Sequence, residues 1–270
     1  MSRRRPNFLG NIAAIAWLGF VVVPIVSIFI TALSKEFRTG GLSSLASGVT
    51  LEHFTQVLGD GFLVFVFNTL VVTIGVVGLT LLVGVPLGFY VVRSQTPLGL
   101  SLFRLFLFGL AVPAQIVIIP LYAVIRQLGL YDTLLAIILP TAAFALPVGV
   151  LVLTAGMREI PRELYEAMEM DGADSIRIFL RLVLPLSRTG VATVAIFTAL
   201  QAWNGFLFPL ILTQSQSTSV VSLGLYTYIG RYYADIPALF SAVLLSTLPV
   251  FVIYLFARRS LVRGLTGIGK

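Results

Sequence analysis

Six stretches of this sequence run for about twenty residues or more without a Lys, Arg, His, Asp or Glu. That is the length a helix needs to cross a bilayer at about 1.5 Å per residue. They are 8–33, 62–92, 105–125, 133–155, 191–212 and 238–257. In hydrocarbon no water is present to satisfy backbone amides and carbonyls, so only a helix or a closed barrel can cross it. A barrel is read from alternating strands of roughly ten residues, whereas these runs are continuous and twice as long. A mean hydropathy of +1.01 with only 11% charged residues excludes an ordinary soluble domain. The sequence therefore predicts an all-α polytopic membrane protein with six transmembrane helices, organised as one membrane domain over 1–270. The basic start, Arg3-Arg4-Arg5, also suits a signal peptide. The apolar run after it is longer than a signal core and lacks a small-x-small cleavage site, so it is taken as the first span, kinked at Pro24.

An even number of spans puts both termini on one side. Fourteen of the 18 Lys and Arg residues fall on that side, in the N-terminus, near Arg93 and Arg104, in the segment 157–188 and in the tail 258–270. Lys35, Arg38, Arg126 and Arg231 fall on the other. Basic residues concentrate in cytoplasmic loops, so the termini and the 157–188 loop are expected to be cytoplasmic. The formal charge of +7 is thus an orientation signal rather than a nucleic-acid patch. Between the spans, Ser34–Asp60 is polar with a short amphipathic piece at Leu51–Leu58. Arg93–Arg104 is read as a loop, Arg126–Asp132 as a tight turn and Thr213–Asp235 as a polar stretch. The chain has no cysteine and a single histidine, His53, so no thiol or histidine metal site is expected. His53 is read as solvated.

Ion- and proton-coupled transporters hold their ions with ionisable groups in the membrane, and a membrane enzyme needs paired carboxylates or a metal cluster. Neither is found in the spans. What the spans carry is neutral polarity: Asn68, Thr69 and Thr73, then Gln115, then Gln201, Trp203 and Asn204, then Ser241, Ser246 and Thr247. Amides both donate and accept, and an indole face covers the apolar side of a sugar ring. Asn68, Gln115, Trp203 and Asn204 are the candidate pathway residues, and Asn204, beside Gly205, leads. The competing reading is that such groups bond helix to helix. The tail spells G-x-x-x-x-G-K from Gly264 to Lys270, but a phosphate loop joins a strand to a helix and ends in Ser or Thr. ATP binding by this tail is rejected, no catalytic residue is assigned and the chain is not read as an enzyme.

The most charged segment of the middle third is Glu166–Leu186, EAMEMDGADSIRIFLRLVLPL. Glu163, Glu166 and Glu169 line one side of a helix. Gly172 breaks the pattern, and a second helix follows from about Ala173. That helix carries Ile176, Phe179, Leu180 and Val183 on its apolar side and ends or kinks at Pro185.

This segment resembles the loop of the membrane subunits of binding-protein-dependent ABC importers. Their pattern is Glu-Ala-Ala, three residues, Gly, nine residues, Ile, one residue, Leu-Pro. Glu166, Ala167, Gly172, Leu184 and Pro185 match it, with Met168 and Leu182 as apolar replacements. VPAQIVIIPLY (Val112–Tyr122), REIPRELYEAMEMDGA (Arg158–Ala173) and AWNGFLFPLILT (Ala202–Thr213) also resemble carbohydrate-importer permeases. The VRGLTGIGK tail is similar to that of the smaller, second permease of a maltose-type pair. The resemblance implies a coupling helix docking on an ATPase, with Glu166, Ala167, Asp171, Gly172 and Ala173 forming the docked turn and Pro185 closing the motif. It also implies import of di- or oligosaccharides or polyols across a prokaryotic plasma membrane. The expected partners are a second, different permease, two copies of an ATP-binding subunit and an extracellular solute-binding protein. No cofactor is expected in this chain, with ATP and magnesium held by the ATPase. The alternative is a stand-alone secondary transporter or channel for a neutral polar solute.

Overall fold

A computed structural model describes residues 8–35, 48–94, 96–230 and 234–266. Arg3, Arg4, Arg5, Arg38, Arg231 and Lys270 lie outside the described residues. Among the described residues the β pairing is limited to two isolated bridges, Ser34 to Val49 and Ile229 to Ala234. The helices are α1 (Phe8–Leu33), α2 (Glu52–Gly59), α3 (Phe62–Ser94), α4 (Pro97–Gly109), α5 (Ala114–Gln127), α6 (Leu134–Arg158) and α7 (Arg162–Met170). They are followed by α8 (Ser175–Leu186) and α9 (Arg188–Trp203), then α10 (Leu207–Leu212) and α11 (Ile236–Thr266), with short helical turns at Gln216–Thr218, Val221–Gly224 and Leu225–Tyr228 between the last two. Three are long and apolar enough to cross a membrane alone, and up to five spans result if α4 with α5 and α8 with α9 each count as one. The last expected span falls in α11, which runs on to Thr266 and takes Gly264 and most of the 258–270 tail into helix.

Two compact units are formed. One comprises Met1–Leu63 and Gly224–Val252, the other Val64–Leu223 and Ile253–Lys270. In the first, α1 is apolar on all sides and exposes Ile15, Trp17 and Phe20, as a lipid-facing helix does. The chain leaving α1 is held by Thr50 N–H donating to Leu33 O (2.8 Å) and Lys35 N–H donating to Gly48 O (3.1 Å). The reading of His53 as solvated is corrected here. It is half-buried on α2, and its Nε2–H donates to Ser34 O at 3.1 Å, which satisfies a carbonyl freed at the end of α1. Asp235 accepts from Ala238 N at the start of α11 (3.1 Å) and from Gln56 Nε2 (3.2 Å). Burial pushes the Tyr228 phenol up to about 12, with the Asp60 and Asp235 carboxylates adding to it.

In the second unit α6 is central, with α4, α9 and α10 packed on it and α10 also on α5. Val72 and Val76 of α3 share a buried cluster with Ile137, Ile138 and Ala142 of α6 and Ala202 of α9. Gly75 lets α3 approach α6: a Cβ there would lie 2.8 Å from Ile138 Cδ1. Further along, Val85, Leu153, Met157, Tyr165, Ile178, Val183 and Val194 form a second buried cluster joining α3, α6, α7, α8 and α9.

Three expectations change. Arg93–Arg104 is not a loop. Helix α3 continues to Ser94, and the Thr96 hydroxyl then caps α4 by accepting from Gly99 N at 3.2 Å, with Pro97 in the first turn, where its missing N–H costs no bond. The span read over 105–125 is broken. Helices α4 and α5 meet at 104°, because Pro113 holds an extended backbone (φ −72°, ψ 131°) and has no N–H to continue the helix. The span read over 191–212 stops at Trp203 and resumes at Leu207.

The turn between α5 and α6 is anchored by Asp132, whose φ of +61° lies in the left-handed region that Asp tolerates. Its Oδ1 accepts from Gln214 N (2.8 Å), Ser215 N (2.9 Å) and Thr218 Oγ1 (2.6 Å), and its Oδ2 accepts from Ser215 Oγ. Its own N–H donates to Leu212 O at 2.9 Å. The backbone amide of Gln214, then the Ser215 and Thr218 hydroxyls and the Ser215 amide, hold the carboxyl well below the usual carboxylate range. A depressed folded value means that this contribution is complete above the unfolded pKa near 4. It is lost as pH falls through the folded value. Asp132→Asn therefore lowers the melting temperature at neutral pH and flattens the acid limb of a stability-versus-pH profile; an unchanged profile would show that the turn does not depend on the charge.

Candidate functional site

Helix α7 starts after Pro161, whose backbone (φ −56°, ψ 137°) cannot be helical. It turns Tyr165 inward, 6% exposed, into the cluster with Val85, Leu153 and Met157, and leaves Glu163, Glu166 and Met170 outside. The helix ends in a glycine cap. Gly172 N–H donates to Glu169 O and Ala173 N–H to Met168 O, each at 2.9 Å. This six-to-one, five-to-two pairing is the Schellman motif, and it requires a left-handed residue at Gly172, here at φ +74°. Met168 and Ala173, on either side of the turn, both pack on the buried cluster below. Asp174 then opens α8 by accepting from Arg177 N at 2.8 Å, an N-cap.

The register of α8 differs from the expectation. A π-turn spans Phe179–Val183 and adds one residue to the turn. Ile178 and Val183 are buried, and Phe179 packs its ring on Phe89 at 5.4 Å. Ile176 (68% exposed) and Leu180 (53%), expected on the apolar side, face outward. Together with Met170 (87%) they leave large apolar side chains around the Gly172 turn. Pro185 lies in the last turn of α8, followed by a 72° bend into α9.

Two ion pairs frame the segment. Arg93, at the end of α3, pairs with Glu169 of α7, and its guanidinium lies 5.9 Å from the Tyr165 ring centre. Arg162 pairs with Glu166 at 3.2 Å. Burial raises the Tyr165 phenol, and Arg93 partly offsets this. The structure thus brings Glu166, Ala167, Asp171, Gly172 and Ala173 onto one turn, exposed except for the half-buried Ala173. Pro185 stands apart on α8. No sequence pattern pointed to Tyr165 or to the Arg93–Glu169 pair, because both depend on the end of α3 meeting a helix 69 or more residues later.

The pathway candidates lie on separate elements. Asn68 is 5% exposed, and its Nδ2 donates to Ser217 O and Ser219 O, each at 2.8 Å. Beside it, Thr69 Oγ1 accepts from Val221 N at 2.9 Å. Asn68 therefore fastens the 217–221 segment to α3, and its donors are occupied. Gln115 is exposed in the first turn of α5, just past the α4–α5 break. Trp203 is buried at the end of α9. Asn204 is exposed at the C-cap of that helix, with Nδ2 donating to Leu200 O at 2.8 Å. Its side-chain oxygen has no protein donor among the described residues.

Comparison with known proteins places this geometry. Residues 80–267 match the family described as binding-protein-dependent transport system inner membrane component. The diacetylchitobiose uptake system permease protein NgcG of Streptomyces coelicolor is 32% identical, over 96% of this chain and 87% of its own. The trehalose transport system permease protein SugB of Mycobacterium tuberculosis is 29% identical over 98% of both chains. Among solved structures, a chain of a bacterial ABC transporter involved in import of the acidic polysaccharide alginate superposes with a TM-score of 0.78. It shares 19% identity and covers 96% of this chain and 99% of its own, a likeness of fold. With the family pattern matched over most of the chain and relatives aligned nearly end to end, the protein belongs to the inner-membrane permease components of binding-protein-dependent ABC transport systems.

Proposed function

We propose that this chain is the smaller of two different permeases in an ATP-driven sugar importer, and that the α7–Gly172–α8 turn is its contact with the ATPase. The observation that carries the reading is the turn itself. It is a doubly hydrogen-bonded cap exposing Met170 and Ile176 in a charged loop, yet seated from below on α3 and α6 through Tyr165 and the Arg93–Glu169 pair. Exposed apolar groups on a polar segment suit a protein partner. A seated cap passes a push on to the spans, because packed elements switch between arrangements rather than deform.

On this reading the chain has six spans forming one domain over 1–270, with both termini and the 157–188 loop cytoplasmic. Two ATP-binding subunits hold ATP and magnesium, and this chain holds no cofactor. When the ATPases close together, each carries a coupling turn with it, so nucleotide biases the spans between inward- and outward-open states. Glu166 offers the partner a charge, Ala167 and Gly172 allow close approach, and Asp171 and Ala173 complete the turn. A soluble extracellular protein delivers the solute. The carbohydrate class is supported by the diacetylchitobiose and trehalose relatives and by neutral polarity at the two broken helices. Irregular backbone in a span is tolerated where it lines a wet cavity; Gln115 and Asn204 stand at such breaks, and the indole of Trp203 lies beside one. Asn68 holds the 217–221 segment in place rather than contacting solute.

Gentle purification from the native membrane is the first test. A second permease and a Walker-motif ATPase should accompany the chain in fixed ratio, and reconstituted uptake should require both ATP and the binding protein. Recovery alone, with nucleotide-independent transport, would replace this reading by the secondary transporter. Gly172→Asp should abolish uptake and transport-linked ATP hydrolysis while insertion persists; normal uptake would remove the coupling assignment. Gly172→Ala isolates the backbone: nothing lies within 4 Å of a Cβ there, so the left-handed strain alone should lower stability by about 1 kcal/mol, measured by thermal denaturation. Asn204→Ala should raise the half-saturating solute concentration several-fold with assembly intact. Unchanged solute dependence would return Asn204 to a purely capping role.

A further inference from the structure

Where α3, α6 and α7 converge, a cavity of about 190 Å³ is lined by Arg93, Arg158, Arg162 and Tyr165 over a floor that includes Met157 and Ile160. Each arginine comes from a different place in the chain: the end of α3, the end of α6 and the first turn of α7. Arg93 and Arg162 are matched by Glu169 and Glu166. Arg158 has no carboxylate partner among the described residues; its guanidinium lies 5.2 Å from the Phe103 ring centre. Positive charge is therefore in excess around the cavity. The Tyr165 hydroxyl is a second, independent sign. The residue is 6% exposed, and its oxygen is buried with no hydrogen-bond partner in the structure. A buried hydroxyl without a partner is costly and points to something that completes the site.

We propose that this pocket binds a phosphate group, held by Arg158 and Arg162 with the Tyr165 O–H donating a third hydrogen bond. Guanidinium forks match phosphate oxygens in pairs, and the two existing ion pairs are exposed enough to yield, since such pairs contribute little. The phosphate comes either from an anionic lipid headgroup, for which basic pockets at the ends of transmembrane helices are suited, or from free phosphate. Either occupant would join α7 to the ends of α3 and α6 and so stiffen the seat of the Gly172 turn. The site does not depend on which solute is carried or on the coupling assignment.

The test uses the full chain with its co-purifying subunits. In one arm it is placed in nanodiscs of phosphatidylcholine alone or with phosphatidylglycerol added, and retained lipid is counted by native mass spectrometry. In the other it is delipidated in detergent and titrated with inorganic phosphate, following the melting temperature. A headgroup site predicts one phosphatidylglycerol retained per chain, with affinity reduced roughly tenfold in Arg158→Gln and several-fold in Tyr165→Phe. A free-phosphate site predicts saturable stabilisation in the second arm, weakened by the same variants. Tyr165→Phe keeps the test sound: removing an unpartnered buried hydroxyl leaves the fold without ligand at least as stable as before, so reduced binding in that variant reports ligation. Binding in neither arm, or binding that both variants leave unchanged, overturns the proposal.

Discussion

A peptide group in hydrocarbon has no water to bond, and the architecture follows from that constraint. Every long apolar run closes its own ladder as helix. Where the ladder breaks inside an apolar run, at Pro113 and at Asn204–Phe206, several of the freed groups are met locally. Leu110 and Ala111 donate to Leu107 O and Phe108 O at 3.1 and 3.0 Å, and Gly205 N–H donates to Ala202 O at 3.2 Å. The Ser222 hydroxyl then takes up the Gly205 carbonyl at 2.6 Å. The breaks re-aim the chain while these local bonds take up part of the freed backbone. They are also where neutral amides are exposed, at Gln115 and Asn204.

Outside the apolar runs the chain uses charge sparingly, and in fixed places. Asp132 gathers two backbone amides and two hydroxyls and so holds the 213–219 segment against the α5–α6 turn. At the α3 end of the same unit, Arg93 reaches Glu169 and lies over Tyr165. An exposed ion pair contributes little by itself. Here it acts together with the apolar seat of Tyr165 on Leu153 and Met157, so that charge sets the orientation of α7 and burial holds it.

The sequence was most informative where a physical rule acts locally. Apolar length gave the helices. The Glu166–Gly172 spacing gave the turn, because a left-handed cap needs a residue without a Cβ at φ +74°. It misled where one residue shifts a register. Periodicity put Ile176 and Leu180 on the buried side of α8, but Ile178 is buried there, and the π-turn at Phe179–Val183 brings Val183 to the same side five residues on, leaving the other two outward. It also misled at the basic loop 93–104, where charge suggested a connector and the Thr96 cap with Pro97 built a helix. His53 was unreadable, since its partner is a carbonyl nineteen residues away.

By itself the sequence determined that the chain is a bundle of membrane helices and that the segment around Gly172 is two short helices joined by a glycine turn. Hydropathy, glycine and proline act on the backbone within a few residues of themselves. It also carried the family pattern. Only the tertiary structure decided that Asn68 is committed to Ser217 and Ser219, that α7 is seated through Tyr165 and Arg93, and that three arginines from separate helices share one cavity with a buried hydroxyl. Those outcomes depend on which side chains meet across long separations, and that is fixed by packing rather than by any local property of the residues involved.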